Sequence, residues 1–127
     1  MTAIVTDLEN ALRPGTVIPK PNAQADFIVK GWGARRGQRA LIYNIPNHKV
    51  PTKPYEKGIT GSEWEQAFER LTTNGDFSRQ WFNRFMPAWA KEGGCNFTTI
   101  GGVFVLLGHA TYDHGVYQKQ EADRAKN

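Results

Sequence analysis

The 127-residue chain contains a single cysteine, Cys95. An intramolecular disulfide is therefore excluded, and a reducing compartment is the simplest expectation. CxxC and HxxxH pairs are missing too, so Cys95, His109, Asp113 and His114 have no spacing that fixes a zinc geometry. Long hydrophobic runs are absent: the longest, Val103 to Leu107, is far too short to span a bilayer. The opening "MTAIVTDLEN" lacks the basic-then-apolar order of a secretory signal. These absences lead to the expectation of a cytoplasmic protein with no membrane partner and no bound metal. There is no phosphate-binding loop, dinucleotide fingerprint or nucleophile elbow. Acidic residues are scarce outside 63–69, which speaks against two-metal phosphoryl chemistry. Cys95 as a nucleophile would need His109 or His114 within hydrogen-bonding reach, and one inert thiol is the commoner outcome. A non-enzymatic protein without a cofactor is expected.

What the chain does have is core material and unevenly placed charge. The apolar share is 39%, with four Trp, seven Phe and four Tyr, which suits one folded domain. Net charge is +4, yet residues 30–57 alone carry +6, from seven cations against Glu56, leaving −2 for the rest. A local surplus of this kind favours a basic patch over a uniformly charged surface.

Along the chain, residues 1–26 read as an N-terminal arm. "TDLENAL" is able to form a helical turn or two with Thr6 as cap, and "RPGTVIPKPN" then forbids any continuous helix or central strand. Residues 27–46 read as a β-hairpin turning at "GARRG", with Leu41, Tyr43 and Ile45 on one face and Ala40, Ile42 and Asn44 on the other. A polar, proline-punctuated loop follows. The spacing of Trp64, Ala67, Phe68 and Leu71 predicts a helix over 60–74, started by a Thr60/Glu63 capping box and stopped at Asn74-Gly75. Glu63, Glu65 and Glu69 are expected to form its acidic outer face. A second helix is predicted over 78–86, its core stripe being Trp81, Phe82, Phe85 and Met86.

The stretch 95–117, "CNFTTIGGVFVLLGHATYDHGVY", admits two arrangements. In one, a helix runs from Asn96 or Thr98 to a stop at Gly108 and a short hairpin turns around Asp113-His114-Gly115. In the other, Gly101-Gly102 joins two strands. Two glycines in a helix cost roughly 2 kcal/mol against alanine. The helix is favoured, because two preceding helices need a third element to close their aromatic faces. Gly101 and Gly102 would then let another helix, or a second subunit, approach closely.

Helix, helix, helix, hairpin over about residues 59–119 resembles a winged helix-turn-helix domain, by element order alone. Together with the basic hairpin, the chain is expected to form an α+β domain over 27–119 with a C-terminal tail at 120–127 and a nucleic-acid partner, duplex DNA favoured. It departs where recognition happens: from Asn96 to Leu107 there is no Arg or Lys, and only Asn96, Thr98 and Thr99 are polar. Phosphate contact therefore falls to Lys30, Arg35, Arg36, Arg39 and Lys53. Asn96, Thr98, Thr99 and His114 remain candidates for the groove. The rival expectation is a homodimeric protein-interaction or small-ligand module, with Trp32, Trp81 and Trp89 around an aromatic ligand. A homo-oligomer is expected in either case.

Overall fold

The computed structural model describes residues 3–20, 26–91 and 95–120. Helix α1 spans Ala3–Ala11 and buries Ile4, Val5 and Leu8, with Leu12 just beyond. Thr6 lies inside this helix rather than at its cap. Pro14 cannot continue the helix, and strand β1 (Val17–Ile18) follows. The segment expected as an arm thus supplies Ile4, Val5, Leu8, Leu12 and Ile18 to the core. The Trp32 indole donates to the Leu12 carbonyl at 3.1 Å, tying the end of α1 to the sheet.

Strands β2 (Phe27–Arg35), β3 (Gln38–Ile45) and β4 (Tyr55–Thr60) complete a four-stranded antiparallel sheet in the order β1-β2-β3-β4. The β2–β3 turn is Arg36-Gly37, with φ of 51° and 74°. Positive φ at both central residues matches the right-handed twist of the flanking strands. The alternation expected of β3 is only half the result: Ala40 and Ile42 are buried along with Leu41 and Tyr43. Only the end of the expected loop, from Tyr55 on, belongs to β4, and the part before it is held by Asn47. Its Oδ1 accepts from the amides of Lys49 and Val50, and its Nδ2 donates to the Lys53 carbonyl.

Helix α2 spans Gly61–Asn74, capped by Thr60 and closed by Gly75 at φ 87°, whose amide donates to the Leu71 carbonyl. Trp64, Ala67 and Leu71 are buried as their spacing predicts. Glu63 does not join the outer face; it is fully buried, for reasons given below. After a short strand β5 (Asp76–Ser78) come α3 (Arg79–Phe85) and α4 (Pro87–Lys91). The Ser78 hydroxyl caps α3 by accepting from the Trp81 amide at 3.2 Å. Phe82 and Met86 enter the core, but Phe85 is 56% exposed and stacks on Trp81 at the surface.

Residues Cys95–Leu106 form helix α5, followed by strands β6 (Ala110–Asp113) and β7 (Val116–Lys119) around His114-Gly115. The second sheet has the order β5-β7-β6. Phe77 on β5 centres an aromatic cluster with Trp81, Phe82, Phe97, Phe104 and Tyr117. Helix α5 lies between β1 of the first sheet and the β6–β7 hairpin of the second. At Gly101 an added Cβ would run into the Tyr117 ring, and at Gly102 into the Pro19 carbonyl oxygen. The glycines therefore admit two parts of the same chain, not another helix or a second copy. Gly108, at φ 82°, stops the helix, with the His109 amide bonded back to the Phe104 carbonyl. The whole is a single α+β domain, and no described helix is long and apolar enough to cross a membrane.

Candidate functional site

The β2–β3 turn brings Arg35 and Arg36 to one end of the first sheet. Gly31 and Gly58 flank Ile42 in the register of that sheet, and Gly33 pairs with Ala40. At Gly58 an added Cβ would come within 2.9 Å of Arg35 Cγ, so the arginine stem lies in a notch that only glycine leaves open. The guanidinium reaches Glu56 at 3.3 Å, and Lys30 reaches the other oxygen of that carboxylate at 2.6 Å. Hydrogen bonding to Lys30, with the charges of Lys30 and Arg35, holds the Glu56 carboxyl below its ordinary pKa. Arg35, Arg36, Glu56, Lys57 and Gly58 line a cleft of about 200 Å³.

The structure divides what the sequence placed in one patch. Lys30, Arg35 and Arg36 meet around Glu56 and Glu63, whereas Arg39 turns to Glu9 of α1 at 3.0 Å. Lys53 sits in the loop between Ile45 and Tyr55 and does not line the cleft that Arg35 and Arg36 share. Glu56 was weighed in the sequence only as a minority charge. Its role as the joint between two strands needs the β3–β4 register, which no local pattern announces.

Under the turn runs a buried polar chain. Arg36 stands 4.0 Å from Glu63 Oε1, which also accepts from the amide and hydroxyl of Thr60 at 3.0 and 3.2 Å. Glu63 Oε2 accepts from Asn96 Nδ2 at 3.0 Å, and Asn96 Oδ1 accepts from the Tyr43 hydroxyl at 2.6 Å. Asn96 Nδ2 also donates to the Gly58 carbonyl. Burial pushes the Glu63 carboxyl above its ordinary pKa, opposed by the Thr60 and Asn96 hydrogen bonds and by Arg36. Burial likewise pushes the Tyr43 phenol up, against a hydrogen bond from Thr99.

Thr99 carries the chain onward to Lys20. Lys20 Nζ donates to the Thr98 and Thr99 hydroxyls and, at 3.4 Å, to the Cys95 carbonyl, and it sits 3.9 Å over the Phe27 ring. Burial lowers its pKa to about 7, with Cys95 opposing and Arg79 assisting. Sequence reasoning passed over Lys20 because it lies among prolines in the expected arm.

Asn96 and Thr99, expected at a groove, are thus enclosed and engaged beneath β3 and α2, and Thr98 is half-buried against Lys20. The physical reason is that α5 is covered along both sides, so its polar first turn has only interior partners. His114 does reach solvent at the β6–β7 turn, its ring 97% exposed beside Asp113. Of the two histidines considered as a base for Cys95, His114 is thus exposed and paired with Asp113. His109 packs edge-on against Phe68 and Phe104 past the far end of α5, roughly 18 Å along the axis. Trp32 is bonded to the end of α1, Trp81 packs on Phe77 and Phe85, and Trp89 packs against the core. Compared with protein-family models, with curated proteins and with solved structures, the chain matches none.

Proposed function

We propose that this chain is a non-enzymatic nucleic-acid-binding domain of winged-helix-like order, with duplex DNA as the favoured partner, serving as a small regulator or accessory factor. The observation that carries the reading is the pair of exposed guanidiniums at the β2–β3 turn, one seated in the Gly58 notch and the other held at a left-handed turn. Arginines positioned before contact lose little side-chain entropy on pairing with phosphate. Support from the fold is that helices α2, α3, the short α4 and α5 precede the β6–β7 hairpin, which pairs with β5 in the order β5-β7-β6, in keeping with a winged-helix-like order apart from the added helix. The reading moves the contact surface from α5 to the sheet: Lys30, Arg35 and Arg36 meet phosphates, and His114 stands at the wing tip. Asn96 and Thr99 drop out of it.

Fluorescence anisotropy against mixed duplex and single-stranded DNA across a salt series tests this. With three phosphate contacts, log affinity should fall with log salt at a slope of about −3, and near −1 after Arg35→Gln with Arg36→Asn. Asparagine is chosen at 36 because it tolerates positive φ. Absence of binding at low salt, or an unchanged slope in the double variant, refutes the assignment.

A second reading, a protein-interaction module, rests on Phe85. It lies exposed beside Trp81 at a cleft of about 320 Å³ that is also lined by Gln66 and Arg70. Binding insensitive to salt and lost on Phe85→Ala would favour it over nucleic acid.

A further inference from the structure

A second cleft, of about 240 Å³, opens where β1 ends against α5 and the β6–β7 hairpin. Pro19, Gly102, Val105, Tyr112 and Tyr117 form its walls, and Lys20 is the one charged residue lining it. The volume lies below the roughly 300–1,000 Å³ of drug-sized sites, so the occupant is small. Its walls are built for space: a side chain at Gly102 would strike the Pro19 carbonyl, and the Tyr117 ring is seated on Gly101.

Two polar groups here are incompletely used. The Tyr117 hydroxyl is buried and meets no hydrogen-bond partner among the described residues, which costs on the order of 1–3 kcal/mol unless something else satisfies it. Of the Lys20 contacts, the one to the Cys95 carbonyl is 3.4 Å, beyond the usual 2.7–3.2 Å for an N–H donor. A ligand oxygen is able to take that proton without breaking the two threonine bonds.

We infer that this cleft binds a small monocarboxylate with an apolar or aromatic body, its carboxylate on Lys20 Nζ and its body against Val105, Tyr112 and Tyr117. Charge selects the sign of the ligand: besides Lys20, Arg79 acts on both Lys20 and Tyr117. The walls select the body, since apolar surface is returned to cover when the site fills. Because Lys20 changes charge near neutrality, the site holds a carboxylate in its protonated state and releases it as the amine discharges.

Benzoate, with benzamide as its uncharged counterpart, is the probe, titrated calorimetrically into the full chain without nucleic acid. The hairpin assignment is therefore untouched by failure here. Expected are saturable benzoate binding at pH 6 with a Kd of about 1 mM or tighter, at least about tenfold weaker binding at pH 8.5, and benzamide binding weaker still. Lys20→Met, which keeps the apolar stem, should lower benzoate affinity about tenfold or more. No benzoate binding, equal binding of benzamide, or undiminished binding by Lys20→Met overturns the proposal. Should Lys20→Met not fold, amide shifts in the wild-type chain decide. Perturbations centred on Gly102, Val105 and Tyr117 support the site, and perturbations centred elsewhere overturn it.

Discussion

Glu63 shows how one carboxylate can be read two ways. In sequence it is a capping-box residue on a helix with two further glutamates, and so is expected on a wet face. In the fold it does cap, but from beneath: its two oxygens receive Thr60 and Asn96, and β4 and α5 shut out water. Every described donor to it is an N–H or O–H, so an amide in its place must set donor against donor at one end. Glu63→Gln should therefore cost about 1–3 kcal/mol. The pH dependence has a definite sign. Because burial raises the Glu63 pKa above 4.5, the folded chain keeps a proton that the unfolded chain has lost. Wild-type stability thus falls as pH rises through that window, and the glutamine variant lacks this loss. Urea melts from about pH 4 to about pH 8 should show the gap between the two narrowing as pH rises. A gap that widens would mean the hydrogen bonds to the carboxylate outweigh its desolvation.

At the scale of elements, α5 depends on what its glycines make room for. Alanine at 101 would gain about 1 kcal/mol of helix propensity. Yet its Cβ would overlap a Tyr117 ring that is wedged against Phe77, Phe97 and Tyr112. Overpacking of a rigid ring typically costs about 1–3 kcal/mol, so Gly101→Ala should lose about 1 kcal/mol net. Tyr117→Leu vacates the same space, and the two changes together should cost less than their sum in a denaturant-based double-mutant cycle. Strict additivity would refute the contact. The same glycines explain what was legible in the sequence. Gly101-Gly102 was compatible with a helix or a hairpin, because the deciding partners, Pro19 and Tyr117, lie far away in the chain. Helix α2 and both tight turns were readable, since spacing, caps and positive-φ residues sit within a few positions of each other. Strands β1, β4 and β5 were not: two are three residues or fewer, and β4 begins straight after a proline-rich loop. The candidate site fared likewise. Arg35 and Arg36 were visible as a tip, but Glu56, Lys20 and the inward turn of Asn96 and Thr99 follow from pairings distant in sequence.

Across the whole molecule, α5 is a shared spine. The first sheet supplies Ile18 and Pro19 to one side of it, the second supplies Tyr117 to the other, and Asn96 ties it to β3 and α2. In a free-standing winged helix the corresponding helix is exposed and available to a groove. Here its exposure would uncover Phe97, Ile100 and Val103 and leave Asn96 and Thr99 without Tyr43 and Lys20. It follows that the stretch from Gly61 to Lys119, on which the winged-helix-like reading rests, lacks the partners to fold alone. A chain begun at Gly61 should lose near-ultraviolet circular dichroism, bind a hydrophobic dye and melt without a cooperative transition, whereas the full chain unfolds in one step. The contrary result, a cooperatively folded fragment, would make the first sheet a detachable cover over α5. It would also return Asn96, Thr98 and Thr99 to the set of possible contacts. Measured on the same fragment, DNA affinity then separates the two surfaces: contact through Arg35 and Arg36 is lost with the first sheet, and contact through α5 is gained.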